Sequence, residues 1–209
     1  MRETQVAGRS LSLFLPRRME NLFVEREGAD EEVPYWARLW PAAELAADAV
    51  LSFAPWPVGS DVLELGSGIG LVGLAARLRG DRVRFSDISE GARMACERSA
   101  RRNGWSDTPA IHLDWRVPSG LQASVILACD ILYDPSLHEP LLRTIDEVLE
   151  PDGICWVADP GRTSSFDFAV LATERFRVRL FDQVGEEALV PSRTRFQIFE
   201  LRRPAECSP

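Results

Sequence analysis

From residue 61 onward, short apolar runs alternate with longer stretches whose apolar positions recur at helical spacing. The short runs predict strands at 62–65, 82–86, 110–113, 123–129, 154–158, 178–181 and 194–201. Helices are predicted at 42–53, from Gly70 to a stop at Gly80, and at 89–102, 135–149 and 164–174. The punctuation agrees. Pro41 suits a first helical turn, Ser89 an N-cap, Asn103-Gly104 a C-terminal stop, and Pro151-Asp152-Gly153 a turn. Strands alternating with helices at this spacing predict an α/β fold, a mostly parallel sheet with helices on both faces. Such sheets bind ligands outside the carboxyl ends of their strands. Ahead of this region the pattern is weaker. Residues 1–10 read as mobile, 11–15 and 21–25 as strand-like, and 26–32 as a charged loop, which together make either a hairpin or a flap. The expected organisation is an N-terminal extension over 1–33 and one domain over 34–209.

The stretch 61–80 organises the rest. Its strand ends at Leu65, and three alternate glycines, Gly66, Gly68 and Gly70, lead into the next helix. Glycines at that junction let a ligand approach bare backbone and a positive helix N-terminus. Two frames compete. Gly68-Ile69-Gly70-Leu71-Val72-Gly73 matches the dinucleotide fingerprint G-x-G-x-x-G, but that fingerprint wants its first glycine directly after the strand, where Gly66 stands. The frame anchored on the strand is Glu64-x-Gly66-x-Gly68-x-Gly70. A carboxylate inside the strand end repels a pyrophosphate and suits a cofactor with a cationic end. Further acidic residues follow the next strands: Asp87, Asp114, Asp130 and Asp159. Any one of them reads equally well as a helix cap, while the series together points to a ligand crevice.

Composition narrows the classes. The chain has 209 residues, 45% hydrophobic and 27% charged, which suits one soluble domain with a real core. A formal charge of −8 argues against a general nucleic-acid binder and is compatible with cationic partners. All 24 basic residues are arginine. The four cysteines form no C-x-x-C pair and there are two histidines, so no metal cluster is expected; three of the cysteines read as core thiols. The apolar run 11–15 is too short for a signal or membrane segment, which makes a reduced cytoplasmic setting the default.

With these residues in view, the chain resembles the class I, seven-β-strand methyltransferases that use S-adenosylmethionine (SAM). Within that class it is similar to the family of the electron-transfer flavoprotein β-subunit lysine methyltransferase and its nicotinamide N-methylase-like relatives. Three pieces carry the narrower likeness: Pro34-Tyr-Trp-Ala-Arg-Leu-Trp-Pro41, Asp130-Ile-Leu-Tyr133-Asp134 and Asp159-Pro-Gly-Arg162. The resemblance implies a doubly wound, Rossmann-like sheet of seven strands with the last antiparallel. It also implies SAM as cofactor and S-adenosylhomocysteine as product. Glu64 and the loop of Gly66, Ser67, Gly68 and Gly70 would hold the methionine end, and Asp87 the ribose hydroxyls. Ile88 would lie on the adenine, Asp114 and Trp115 at its edge, Cys129 beside the cofactor, and Trp40 over it. Trp36 reads more readily as a core aromatic, and Trp40 as either.

Methyl transfer needs a neutral nucleophile. Neutralising a free lysine near pH 7 costs roughly 4–5 kcal/mol, and Asp130 is far too acidic to act as a strong base. Its implied part, with Tyr133, is to hold and orient the amine while the proton leaves to water. Arg162 would orient a substrate or form a structural ion pair. The expected acceptor is an exposed lysine of a protein, with a small amine or heterocycle as the alternative. The enzyme is expected to be a monomer, with neither nucleic acid nor membrane as partner. Against an NAD-dependent oxidoreductase stand Glu64, the displaced glycine frame and the lack of any Tyr-x-x-x-Lys pair.

Overall fold

The computed structural model describes residues 1–16 and 34–204. The strand-like reading of 21–25 and the charged loop at 26–32 lie outside the described residues. The chain begins with a hairpin, β1 (Arg2–Val6) and β2 (Arg9–Leu13). After a 3-10 turn, Tyr35–Ala37, come α1 (Pro41–Phe53), β3 (Asp61–Leu65), α2 (Leu71–Arg79), β4 (Arg82–Asp87), α3 (Glu90–Arg102) and β5 (Ala110–His112). The second half holds β6 (Ala123–Cys129), a 3-10 turn Pro135–Leu137, α4 (His138–Val148), β7 (Leu149–Asp159) and α5 (Ser164–Ala172). It closes with β8 (Arg177–Phe181), β9 (Glu187–Ala188) and β10 (Gln197–Arg202).

The main sheet has the order β5-β4-β3-β6-β7-β10-β8-β9. β3 to β7 pair in parallel, and β10 lies antiparallel between β7 and β8. Seven strands were expected; the two-residue β9 pairs with β8 as an eighth at the edge. The period-2 alternation of the strands sorts their side chains into two cores. Val62, Val125, Leu127, Trp156 and Ile198 pack on one face with α1, α2 and α3. Leu63, Leu65, Ile126, Val157 and Phe199 pack on the other with α4 and α5. Each fully buried leucine or phenylalanine contributes about 1.5–3 kcal/mol, so both faces must be covered for the sheet to persist.

Several boundaries move for local reasons. The predicted helix 135–149 begins as a 3-10 turn, and Leu149 already belongs to β7. Pro151-Asp152-Gly153 does not end an element; it is taken into β7, and the pairing with β6 shifts register there. Ser89 stands at the N-cap of α3 without a side-chain capping bond. α2 stops where expected, because Gly80 at φ 114 donates to the carbonyls of Ala76 and Arg77.

Residues 1–10 are not loose. Ala7 and Gly8 both take positive φ, the geometry of a two-residue hairpin turn, and Val6, Leu11 and Leu13 are buried in the α1/α2/α3 core. Asn103 fastens the hairpin: its Oδ1 accepts from the Ser12 N–H at 3.0 Å and its Nδ2 donates to the Ser12 carbonyl at 2.9 Å. The alternation is only two buried positions per strand, too short to separate from a loop in sequence. No described helix is long and apolar enough to cross a membrane.

Candidate active site

The carboxyl ends of β3, β4, β5 and β6 meet at the switch point of the sheet, beneath a cavity of about 440 Å³. Of the thirteen residues assigned from sequence to the cofactor or to catalysis, twelve line it: Trp40, Glu64, Gly66, Ser67, Gly68, Asp87, Ile88, Asp114, Trp115, Cys129, Asp130 and Tyr133. Gly70 does not. It lies below the loop as the N-cap of α2, where a Cβ would stand 2.8 Å from Cys96 Sγ and 3.0 Å from Phe85.

The glycine loop is shaped by what presses on it. Gly66 and Gly68 have φ of 59° and 52°. A Cβ on Gly66 would meet Ile131 at 3.0 Å and Trp115 at 3.1 Å, and one on Gly68 the Trp36 carbonyl at 3.3 Å. Trp36 thus lies against the loop, its ring 2.3 Å from where a Cβ on Gly91 would be. The glycine at the start of α3 is the sequence signal for that contact.

The acidic residues of this half are tied to backbone. Glu64 is buried and its Oε2 accepts from the Gly73 N–H at 3.0 Å. Burial pushes its pKa up to about 8, with the Asp87 charge adding to the rise. Its other oxygen accepts no hydrogen bond from the described residues. Asp87 accepts the Gly68 N–H on Oδ2 at 3.0 Å and the Ser89 N–H on Oδ1 at 2.8 Å. Burial raises its pKa against the opposing pull of those N–H groups and of Arg93. Asp114 differs. Arg116 clasps both its oxygens at 2.8 Å and holds its carboxyl down at about 2, so the adenine-edge assignment needs that clasp to share its lone pairs. Arg116 was not foreseen, although it stands two residues away.

The other end is built from side chains. Asp130 follows β6 at φ 57°, a left-handed conformation that aspartate tolerates better than most residues. Its Oδ1 accepts from both Nε, at 3.0 Å, and a terminal nitrogen of Arg162. Of the two readings given for Arg162, the ion pair is the one present. Tyr133 is 52% exposed, so it is a rim residue and not a buried core tyrosine. Its ring centroid lies 6.0 Å from that of Tyr35, which in turn is 6.4 Å from Trp40. Tyr35 escaped the sequence reading, hidden in an aromatic-dense stretch. The Leu132 carbonyl between Asp130 and Tyr133 accepts from Ser164 Oγ at 2.6 Å and lies 3.3 Å from His138 Nε2. Cys129 faces the cavity, its thiol pKa pushed well up by burial and by the carboxylates of Asp130, Glu64 and Asp159. Among the described residues no group of His, Cys, Asp and Glu is placed to hold a metal ion.

The residues present fit SAM: a buried carboxylate with a free oxygen for a cation, bare glycine backbone, an acidic strand end and an apolar rim. Comparison with known proteins agrees. The model of a family described as lysine methyltransferase matches residues 34–168. The histone-arginine methyltransferase METTL23 of Xenopus laevis is 28% identical over 169 residues, covering 71% of this chain and 72% of that protein. The electron transfer flavoprotein beta subunit lysine methyltransferase of Danio rerio is 31% identical over 137 residues, 64% of this chain and 53% of that one. The match therefore spans about half the length of the flavoprotein-directed relatives. Among solved structures, a TehB-like SAM-dependent methyltransferase from Corynebacterium glutamicum superposes with a TM-score of 0.60 at 16% identity, over 80% of this chain and 89% of that one. At that identity the likeness speaks for the fold alone.

Proposed function

The chain belongs to the lysine methyltransferase family, whose cofactor is SAM, and on that premise we propose that it transfers the sulfonium methyl of SAM to a lysine side chain of a protein. The observation that carries this reading is the two-ended cavity. Glu64, Asp87 and the glycine loop stand at one end, and Asp130 with the half-exposed Tyr133 at an open rim. An enclosed chamber would suit a small molecule. A rim with Tyr35 and Tyr133 at the surface suits a long side chain reaching in from another protein, its cation passing over aromatic faces.

SAM supplies the methyl group. Glu64 and the loop backbone would take its methionine end, Asp87 its ribose and Ile88 its adenine, with Asp114 and Trp115 at the adenine edge and Trp40 over it. Asp130 receives the incoming amine by hydrogen bonding, and Tyr133 orients it. Each of these groups positions and neutralises charge; none needs to act as a strong base. The free cysteines among the described residues, Cys96, Cys129 and Cys155, suit a reducing, cytoplasmic setting.

Calorimetric titration with S-adenosylhomocysteine, with NAD in parallel, tests the cofactor. Labelled-methyl transfer from SAM into a cell lysate, followed by amino-acid analysis of labelled protein, tests the acceptor. The chain contains no lysine, so methyl-lysine cannot arise from the enzyme itself. Label in protein methyl-lysine is expected. Label confined to methylarginine or to small molecules would overturn the acceptor, and NAD binding in place of S-adenosylhomocysteine would overturn the cofactor.

A further inference from the structure

The ion pair at the acceptor end has a second, unfilled seat. Asp159, the last residue of β7, is completely buried, and its two oxygens are treated very differently. Oδ1 accepts the backbone N–H groups of Gly161 at 2.8 Å and Arg162 at 2.7 Å. Oδ2 has no hydrogen-bond partner among the described residues. It stands 3.9 Å from Arg162 Nε, whose hydrogen bond goes to Asp130 Oδ1. A buried carboxylate oxygen left without a donor is an expensive vacancy. Here the Arg162 guanidinium is about 0.7 Å beyond hydrogen-bond reach.

The loop that carries Arg162 is fixed. Gly161 has φ 98°, and a Cβ there would lie 2.6 Å from both the N and the O of Arg195 in the segment before β10. Ser164 ties the same loop to the Leu132 carbonyl. The backbone is packed and tied on both sides, while the Arg162 side chain is 34% exposed. The shortest route to a change of partner is a rotation of the guanidinium between the two carboxylates.

We propose that Arg162 is a positioning residue with two seats: it holds Asp130 until a cationic acceptor arrives, then turns toward Oδ2 of Asp159 as the acceptor's ammonium takes its place on Asp130. The inference rests on the acceptor reading above. In the resting state Arg162 keeps the nearly buried Asp130 compensated, its side chain only 7% exposed. A neutral acceptor offers Asp130 nothing to replace the guanidinium. An ammonium does, and the displaced guanidinium finds the vacant oxygen of a carboxylate that burial otherwise holds back from ionising. Selectivity for a cationic side chain then comes from an exchange of partners, with no covalent step in it.

The test follows the Arg162 Nε–H resonance in 15N-labelled protein loaded with S-adenosylhomocysteine, assigned by its loss in Arg162→Lys. The probe is n-butylammonium, a lysine side chain without its backbone, with n-butanol as the neutral control. A saturable shift with butylammonium and none with butanol is expected. Asp159→Asn keeps an acceptor for the two backbone N–H groups and replaces the vacant oxygen with a donor. In that variant the shift should vanish and butylammonium should bind at least threefold more weakly. An unmoved resonance in the wild type, or a wild-type response in Asp159→Asn, would overturn the two-seat proposal. The wild-type titration alone decides it if Asp159→Asn does not fold. Failure to load S-adenosylhomocysteine would instead strike the methyltransferase reading.

Discussion

The two ends of the cavity hold their carboxylates by different means. At the cofactor end, Glu64 and Asp87 are bound by backbone N–H groups of Gly73, Gly68 and Ser89, all within twenty residues of sequence. At the acceptor end, Asp130 is bound by the side chain of Arg162, thirty-two residues away. Backbone donors cannot leave without unfolding a turn, whereas a guanidinium can rotate away. A cofactor that returns every cycle suits the first arrangement, and an acceptor that must be admitted, charged and released suits the second.

Disabling one end and measuring both tests whether they act independently. Asp130→Asn keeps a side chain that tolerates positive φ and removes the charge. Turnover should fall by about 10²–10³-fold, the range for losing one preorganised group that stabilises charge at the reacting centre. S-adenosylhomocysteine affinity should stay within about twofold, since among the described residues no hydrogen bond joins the Asp130 side chain to the glycine loop. Steady-state kinetics beside calorimetry would decide it. Equal losses at both ends would mean that the site is a single unit.

Glu64 gives the cofactor end a pH dependence of its own. Its folded pKa of about 8 lies above the unfolded value of 4.5. Below pH 4.5 both states are protonated and the group contributes nothing. As pH rises from there to 8 the unfolded chain ionises first, so the free protein loses stability, by roughly 3–5 kcal/mol at the top of the window. Asp87 is raised too and works in the same direction. Denaturant titrations of Glu64→Gln should show a flatter pH profile and a variant more stable than the wild type at pH 8. The cations of SAM favour ionised Glu64, so binding near pH 7 should release protons, read as a dependence of the calorimetric heat on buffer ionisation. A buffer-independent heat would leave Glu64 outside the cofactor's reach.

The contrast also explains what was legible in the chain. The cofactor end is contiguous: a strand, three alternate glycines and a helix, with a carboxylate at a fixed offset. The same features create its geometry, so the parallel sheet and Glu64 through Asp87 could be read directly. Gly70 shows the limit of that reading: it does not line the cavity, and the space its Cβ would need is taken by Cys96 and Phe85 below the loop. Asp130 and Tyr133 were found as a short signature, but their supports, Arg162, Ser164 and His138, come from other elements. Nothing in local periodicity says which loop will fold over which turn. Arg116 on Asp114 is a different kind of miss, because an arginine two residues from an aspartate is usually solvated.

Asp87→Ala is the next effect in size. It removes the acceptor for two backbone N–H groups as well as the proposed ribose contact, and should weaken S-adenosylhomocysteine about 100-fold, near 2.7 kcal/mol. Thermal stability should change less, because a raised pKa marks a carboxylate that pays for its own burial. Unchanged affinity would move the ribose elsewhere.

The smallest effect concerns the hairpin. Asn103 joins β2 to α3, the helix that follows the Asp87 turn, so the hairpin is attached to the cofactor end. Its amide also donates to the Ser99 carbonyl at 2.7 Å, closing the helix end. Asn103→Ala removes these bonds together, leaves the Ser12 N–H without its partner, and should cost about 1–2 kcal/mol in denaturant unfolding. If the two ends are independent, turnover with saturating cofactor should be untouched. A drop in turnover with no change in S-adenosylhomocysteine affinity would place the hairpin on the acceptor's side. The boundary between the two ends would then run along α3, and not through the switch point of the sheet.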